Sequence, residues 1–177
     1  RRQPEVLLQY ATTEGHEGLR AVLADADGRR CDRPVGPGEV LITSGAQQAI
    51  DLVARALLDP GDVVMVESPN FPGSMRTIRS FGATQVAIPM DEQGMRCDIL
   101  EDELQKLADQ GKRAKFIYCI PTHQNPAGCT LQLDRREKLL ELARRFNTFV
   151  LEDDAYGELW FEQTPPPSVF ALSNGDH

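Results

Sequence analysis

The amino-acid sequence predicts an α/β fold of three layers, in which helices cover both faces of a mostly parallel β-sheet. From residue 40 onward, short runs rich in β-branched and aromatic residues alternate with segments whose apolar residues recur at intervals of three and four. The chain has 177 residues, of which 41% are hydrophobic, and this is enough to bury one core. We therefore expect residues 1–177 to form one domain.

The first half of the chain supplies three predicted strands. They lie at residues 40–43, 63–66 and 84–88. A helix is predicted at residues 46–58, where the apolar residues have helical spacing, and another at residues 72–81. The sequence Asp59-Pro60-Gly61-Asp62 is expected to end the first helix, because proline and glycine interrupt helical structure.

The second half continues the alternation. Strands are predicted at residues 115–120 and 149–151, and helices at residues 98–107 and 131–146. Asp98 is predicted to cap the first of these helices, because an Asp followed three residues later by an acid, Glu101, satisfies free amides at a helix start. Residues 163–177, which include three consecutive prolines, are predicted to be irregular.

Parallel strands bring their carboxyl ends to one edge of the sheet, where open α/β folds bind ligands. After the first strand, Gly45, Ala46 and Gln47 lead into a helix, and this turn can hold a phosphate through exposed amides. Taken alone, a simple strand-to-helix turn explains the same pattern better. Phe71 follows the second strand, where it can stack on a flat ring or belong to the core.

Two further strand ends carry polar side chains. Asn125 lies in a long turn after residues 115–120, where its amide can donate a hydrogen bond to a ligand oxygen. Three acids, Glu152, Asp153 and Asp154, directly follow an apolar run and precede Tyr156. Buried carboxylates require a cation or good donors. Mg²⁺ is the rival partner, although no His or Cys joins the acids at ligand spacing, and we predict no metal site.

Composition excludes several classes of function. A net charge of −8, with basic residues spread along the chain, argues against nucleic-acid binding by this segment. No apolar run approaches the roughly 18 residues that a membrane span needs, and no leader opens the chain, so we expect a cytoplasmic protein without membrane contact. The cysteines lack C-x-x-C spacing, which argues against zinc and disulfide frameworks. They are Cys31, Cys97, Cys119 and Cys129.

Together the strand ends resemble the class I/II, fold-type I aminotransferases, which depend on pyridoxal 5′-phosphate. The matching motifs are Asn125-Pro126-x-Gly128, Asp153-x-x-Tyr156, the run 41–48, Asp59-Pro60-Gly61-Asp62 and an upstream segment with Tyr10, Gly15, Gly18, Leu19 and Arg20. The resemblance covers nearly the whole chain. It is strongest to the branch that holds 2-aminoadipate and kynurenine-type aminotransferases and the aminotransferase-like domains of MocR-type regulators.

The resemblance implies a role for each strand end. Gly45, Ala46 and Gln47 would hold the phosphate, and Phe71 would stack on the pyridine ring. Asn125 and Tyr156 would bind the phenolic oxygen of the ring. Asp153 would pair with the protonated ring nitrogen and so act as a catalytic residue with Tyr156. We favour Asp153 over Asp154, because strand alternation turns the two side chains in opposite directions.

The family also implies parts that these residues do not supply. Its members carry a Schiff-base lysine beyond the position of Tyr156, together with a C-terminal small domain, and act on amino-acid and 2-oxo-acid substrates as homodimers. We therefore expect residues 1–177 to be an internal part of the large domain that does not transaminate alone. Residues 40–43 would lack a neighbouring strand, which predicts an exposed or swapped edge, aggregation, or association with further polypeptide.

Two other functions remain open at this stage. One is the effector domain of a MocR/GntR-type regulator, which would bind the same cofactor and act through a separate helix-turn-helix domain. His123-Gln124 faintly favours the regulator, whereas Asn125 and Ala155-Tyr156 favour the enzyme. The other is a module that needs no pyridoxal phosphate, with the acids on Mg²⁺ and the turn on a phosphate.

Overall fold

The computed structural model describes residues 9–160 and 164–174. The helices are α1 (Glu17–Arg30), α2 (Ala46–Leu57), α3 (Pro72–Ser80), α4 (Cys97–Asp109), α5 (Leu133–Arg145) and α6 (Val169–Ser173), with a 3-10 turn at Pro37–Glu39. The strands are β1 (Val63–Ser68), β2 (Thr84–Asp91), β3 (Gly94–Met95), β4 (Ala114–Cys119) and β5 (Phe149–Glu152).

The five strands form one sheet in the order β3-β2-β1-β4-β5. All neighbours pair in parallel except β2 and β3, which form a short antiparallel pair. The predicted α/β class and mostly parallel sheet are therefore confirmed. The carboxyl ends of β1, β4 and β5 lie next to one another at the centre and one side of the sheet.

Side chains alternate between the two faces of the sheet, as buried strands require. Met65 of β1 and Ile117 of β4 pack with leucines of α4 and α5 in one core cluster. Val66 of β1 and Tyr118 of β4 pack with α2 and α3 in a second cluster on the other face. Helices thus cover both faces, which gives the three layers that the sequence predicts.

The prediction of a strand at residues 40–43 is wrong. The backbone is extended at Val40, but among the described residues no strand lies beside this segment, so no ladder of hydrogen bonds forms. One hydrogen bond that holds this segment runs from the amide of Ile42 to the carbonyl of Glu14, at 3.0 Å. Leu41 is half exposed. The association expected for this segment stays a prediction.

The predicted cap at Asp98 is also wrong. Helix α4 begins one residue earlier, at Cys97, with Arg96 at the N-cap position. The carboxylate of Asp98 accepts a hydrogen bond from Nε of Arg96 at 2.8 Å, and this guanidinium lowers the pKa of Asp98 to about 2. Glu101 pairs with Lys138 and Arg145 of α5. A neighbouring arginine for Asp98 and the basic residues of α5 for Glu101 thus replace the capping that the sequence suggested.

Two helices and one strand were not predicted. Helix α1 precedes the first predicted element, β3 is only two residues long, and α6 lies inside the segment predicted to be irregular. The carboxylate of Glu152 holds the start of α6 by accepting the amides of Val169 and Phe170 at 2.8 and 2.9 Å. Residues 1–8, 161–163 and 175–177 of the predicted domain lie outside the described residues.

Candidate functional site

The start of α2 provides free backbone amides at the carboxyl edge of the sheet. Gly45 is the N-cap residue, with φ of +89°, a conformation that favours glycine over other residues. A Cβ at Gly45 would meet no atom within 4 Å, so the space in front of the helix start is open. Ala46 and Gln47 begin the helix, and their amides have no acceptor within it. This arrangement suits an anion.

Gln47 and Phe71 meet above Gly73, the second residue of α3. A Cβ built on Gly73 would lie 2.5 Å from Cε1 of Phe71 and 2.8 Å from Oε1 of Gln47. The side-chain amide of Gln47 also donates to Oγ1 of Thr77 on α3. Phe71 is 38% exposed, so one part of its ring is available to a ligand. The predicted phosphate and stacking residues therefore lie together.

Asp153 is joined to the same helix by a buried tyrosine. Its Oδ2 accepts a hydrogen bond from the hydroxyl of Tyr118 at 2.7 Å, and that hydroxyl lies 2.7 Å from Oγ of Ser74. Tyr118 and Ser74 are fully buried, whereas Asp153 is partly exposed. Because Ser74 follows Gly73 in the chain, consecutive residues of α3 bring Asp153 to the side of the molecule that holds Gln47 and Phe71.

Asn125 lies in the turn after β4, which contacts the segments that follow β1 and β5. Next to it, Gln124 donates from Nε2 to the carbonyl of Pro69 at 2.9 Å, which fixes the turn against the loop after β1. On the other side, Nε2 of His123 lies 2.8 Å from the carbonyl of Leu159. Among the described residues, the side chain of Asn125 has no hydrogen-bond partner. Its amide is therefore available to a ligand.

Tyr156 is partly buried and packs with Leu151 against the core cluster that contains Tyr118. It therefore lies on the same face of the sheet as α2 and α3. Gln47, Phe71 and Asp153 are thus linked to α3, Tyr156 packs on the same face of the sheet, and Asn125 lies in the turn after β4. Their roles toward a ligand stay predictions.

Glu67 is a buried acid that was not predicted as a site residue. It is 2% exposed. Its Oε2 accepts the amide of Ile120 at 3.0 Å and Nε2 of Gln124 at 3.2 Å, so one carboxyl group binds both the end of β4 and the turn that carries Asn125. Burial, together with the smaller effect of the nearby Asp153 charge, raises the pKa of Glu67 to about 7 against the effect of these donors. An acid directly after four apolar strand residues was the sequence signal.

The acids do not gather around a common point. Asp154 turns away from Asp153 and pairs with Arg30, with Oδ2 and Nη2 2.6 Å apart. In the described part of the chain, no group of three His, Cys, Asp or Glu side chains could hold a metal ion. Likewise, no described helix is both long and apolar enough to cross a membrane.

Comparison with known proteins gives a consistent result. A family model for aminotransferases of class I and II matches residues 2–177. The chain is 42% identical over 164 residues to aromatic-amino-acid aminotransferase 1 of Thermococcus litoralis, covering 93% of this chain and 39% of that protein. It is 40% identical over 173 residues to the 2-aminoadipate transaminase of Thermus thermophilus, covering 98% and 41%. The chain thus spans about two fifths of these relatives' length.

A solved structure and a regulator also match. The crystal structure of a kynurenine aminotransferase of Pyrococcus horikoshii in complex with PMP superposes with a TM-score of 0.91 at 41% identity, over 97% of this chain and 42% of that one. The uncharacterized HTH-type transcriptional regulator YisV of Bacillus subtilis is 32% identical over 173 residues, which cover 97% of this chain and 34% of the regulator.

Proposed function

Because this chain belongs to the class I and II aminotransferase family, we propose that the complete protein transfers an amino group between an amino acid and a 2-oxo acid. Pyridoxal 5′-phosphate is the proposed cofactor. The observation that carries the proposal is that two consecutive residues of α3 bring the predicted site residues together. Gly73 lies beneath Gln47 and Phe71, and Ser74 leads through Tyr118 to Asp153.

The residues present fit this cofactor. The open space at Gly45, in front of the amides of Ala46 and Gln47, suits a phosphate group. Phe71 offers a partly exposed ring for stacking on a pyridine. When bound, pyridoxal phosphate supplies an electron sink for the carbanion that forms when an amino acid loses its α-proton. A carboxylate beside the ring nitrogen keeps that sink effective.

Each residue then has a specific task. Asp153 holds a proton on the ring nitrogen, because a nearby carboxylate favours the charged form of a base. Asn125 and Tyr156 donate hydrogen bonds to the ring oxygen, which fixes the orientation of the ring. Ala46 and Gln47 anchor the phosphate. Asp153 and Tyr156 are thus the proposed catalytic residues in this part of the protein.

The lysine that the family uses is not among the four present. Lys115 pairs with Asp62 before β1, and Lys138 pairs with Glu101 and Glu141 on the outer side of α5. Lys106 pairs with Glu103 on α4, and Lys112 follows that helix. All four are remote from the carboxyl edge. We propose that the reactive lysine belongs to polypeptide outside these residues.

We also propose that the complete protein is a cytoplasmic homodimer.

The test uses the complete protein that carries this chain. We expect the purified protein to develop the visible absorbance of bound pyridoxal phosphate, and to produce a 2-oxo acid when supplied with an amino acid and an acceptor 2-oxo acid. Aromatic amino acids, 2-aminoadipate and kynurenine are the first substrates to try, because similar proteins are named for them. Absence of both cofactor binding and product would contradict the proposal.

A second candidate is the effector domain of a transcription regulator. The similarity to YisV over 97% of this chain supports it. If the protein is a regulator, the complete protein should contain a helix-turn-helix domain. It should bind the cofactor but should not turn over amino acids. Sequencing upstream of Arg1 and the same product assay distinguish the two functions.

A further inference from the structure

A chain of hydrogen bonds runs from α3 through β4 to the end of β5. Oγ of Ser74 lies 2.7 Å from the hydroxyl oxygen of Tyr118, and that oxygen lies 2.7 Å from Oδ2 of Asp153. Ser74 and Tyr118 are 0% exposed, so water does not compete for the contact between their hydroxyl groups. The three residues are 44 and 35 positions apart in the chain, and only the folded sheet brings them together.

The direction of each hydrogen bond follows from the number of protons available. A phenol has one proton, and an ionised carboxylate only accepts. Tyr118 therefore donates to Asp153, and its oxygen must accept the proton of Ser74. Burial raises the pKa of Tyr118 far above its usual value, so the phenol keeps this proton at any working pH. Bonds arranged head to tail in this way strengthen one another.

The second oxygen of Asp153 is left free. Among the described residues, no donor reaches Oδ1, and Asp153 is partly exposed. The hydrogen bond to Oδ2 restricts the rotation of the carboxylate. Oδ1 therefore remains able to accept a hydrogen bond from a ligand at the carboxyl edge of the sheet, where β5 ends.

We propose that Tyr118, itself held by Ser74, is a positioning residue that fixes the carboxylate of Asp153 so that Oδ1 faces the ring nitrogen of the bound cofactor. The inference rests on the proposed function. It adds a specific prediction, which is that Tyr118 and Ser74 contribute to binding only through Asp153, and only when the ligand ring has a nitrogen at that position.

The test compares variants of the complete protein by their dissociation constants for pyridoxal phosphate and for its 1-deaza analogue, in which a C–H group replaces the ring nitrogen. Tyr118→Phe removes one oxygen and leaves the ring in place. We expect it to weaken binding of pyridoxal phosphate about 10-fold, the scale of a lost hydrogen bond to a charged group. Binding of the 1-deaza analogue should change less than about twofold.

A double-mutant cycle separates positioning from a purely structural role. In the Asp153→Ala background, Tyr118→Phe should have almost no further effect on binding, because the carboxylate that it holds is gone. Ser74→Ala should give a smaller loss with the same dependence on Asp153. Thermal unfolding of each apoprotein reports any loss of stability separately from binding.

Two results would overturn the inference. One is an equal loss for pyridoxal phosphate and its 1-deaza analogue in Tyr118→Phe, and the other is a full loss that persists in the Asp153→Ala background. Failure of the proposed function gives a different result, because the unmodified protein would then bind neither compound.

Discussion

The carboxylates of Asp153 and Asp154 point to opposite sides of the chain, although the residues are adjacent. Asp153 accepts a hydrogen bond from Tyr118 at 2.7 Å, whereas Asp154 pairs with Arg30 of α1 at 2.6 Å. They follow β5, so the alternation of a strand continues through them. The opposite orientation predicted from the sequence is confirmed, and it provides a pair of chemically identical substitutions for testing the site.

Asp153→Asn in the complete protein should lower kcat by about a hundredfold or more, because an amide cannot hold the ring nitrogen in its protonated form. Asp154→Asn should leave kcat near that of the unmodified protein. It breaks a pair in which Arg30 is 38% exposed, so the free energy of unfolding should fall by less than about 1 kcal/mol. Steady-state kinetics with one amino-acid substrate measures kcat for both variants. Equal losses in the two variants would contradict the assignment of Asp153.

Gly73→Ala tests whether Gln47 and Phe71 act together. The added methyl group would collide with both side chains, at 2.5 and 2.8 Å, and should displace them. Alanine favours a helix over glycine by up to about 1 kcal/mol, which offsets part of the cost of displacing the two side chains. We therefore expect weaker binding of pyridoxal phosphate, by about tenfold, and thermal unfolding of the apoprotein measures any change in stability separately.

The matched control is Gly38→Ala, since a Cβ at Gly38 meets no atom within 4 Å. This variant should bind the cofactor as the unmodified protein does. Unchanged binding in Gly73→Ala would show that the contact of Gln47 and Phe71 above Gly73 has no role in holding the cofactor.

The sequence predicted the elements that have strong periodicity and the residues that lie at strand ends. The four helices α2 to α5 and the strands β1, β2, β4 and β5 were found in this way, with ends that differ by at most three residues. The strand prediction at residues 40–43 failed because a strand needs a neighbouring strand. The sequence of one segment does not show whether that neighbour is present. The antiparallel β3 was missed because two residues carry no pattern.

The candidate site was predictable where the chemistry is local and not where it depends on distant partners. Gly45, Asn125 and Asp153 stand out because polar residues follow apolar runs. Tyr118 looked like an ordinary strand residue, and its importance comes from a partner 35 positions away. Glu67 likewise acts on an amide 53 positions away. Only the parallel order of β1, β4 and β5 brings such partners together.

Residues 1–177 alone should not transaminate. The four lysines are paired or lie on the far side of the helices and strands, so none can reach a ligand held by Asp153 and Phe71. The measurement is formation of a 2-oxo acid from an amino acid and pyridoxal phosphate, compared with a buffer control. Product above that control would show that the reaction needs no lysine beyond these four.

The buried carboxyl of Glu67 predicts how stability depends on pH. Its pKa is raised from 4.5 to about 7, mainly by burial, so the folded state binds a proton that the unfolded state has already released between these values. Stability from this group is therefore fully present below about pH 4.5 and is lost as the pH rises to about 7. The loss is about 3 kcal/mol for a shift of this size.

Glu67→Gln tests this prediction, because glutamine keeps an oxygen that can accept the amide of Ile120 but does not ionise. We compare the free energies of unfolding of the variant and the unmodified protein by urea denaturation. From pH 5 to pH 8, the difference between them should shift in favour of the variant by up to about 3 kcal/mol. Glu67→Leu, which removes the acceptor for Ile120 and Gln124, should be less stable than Glu67→Gln at both pH values. If the difference between Glu67→Gln and the unmodified protein is the same at pH 5 and pH 8, Glu67 does not titrate in this range, and its carboxyl only binds the two strand ends together.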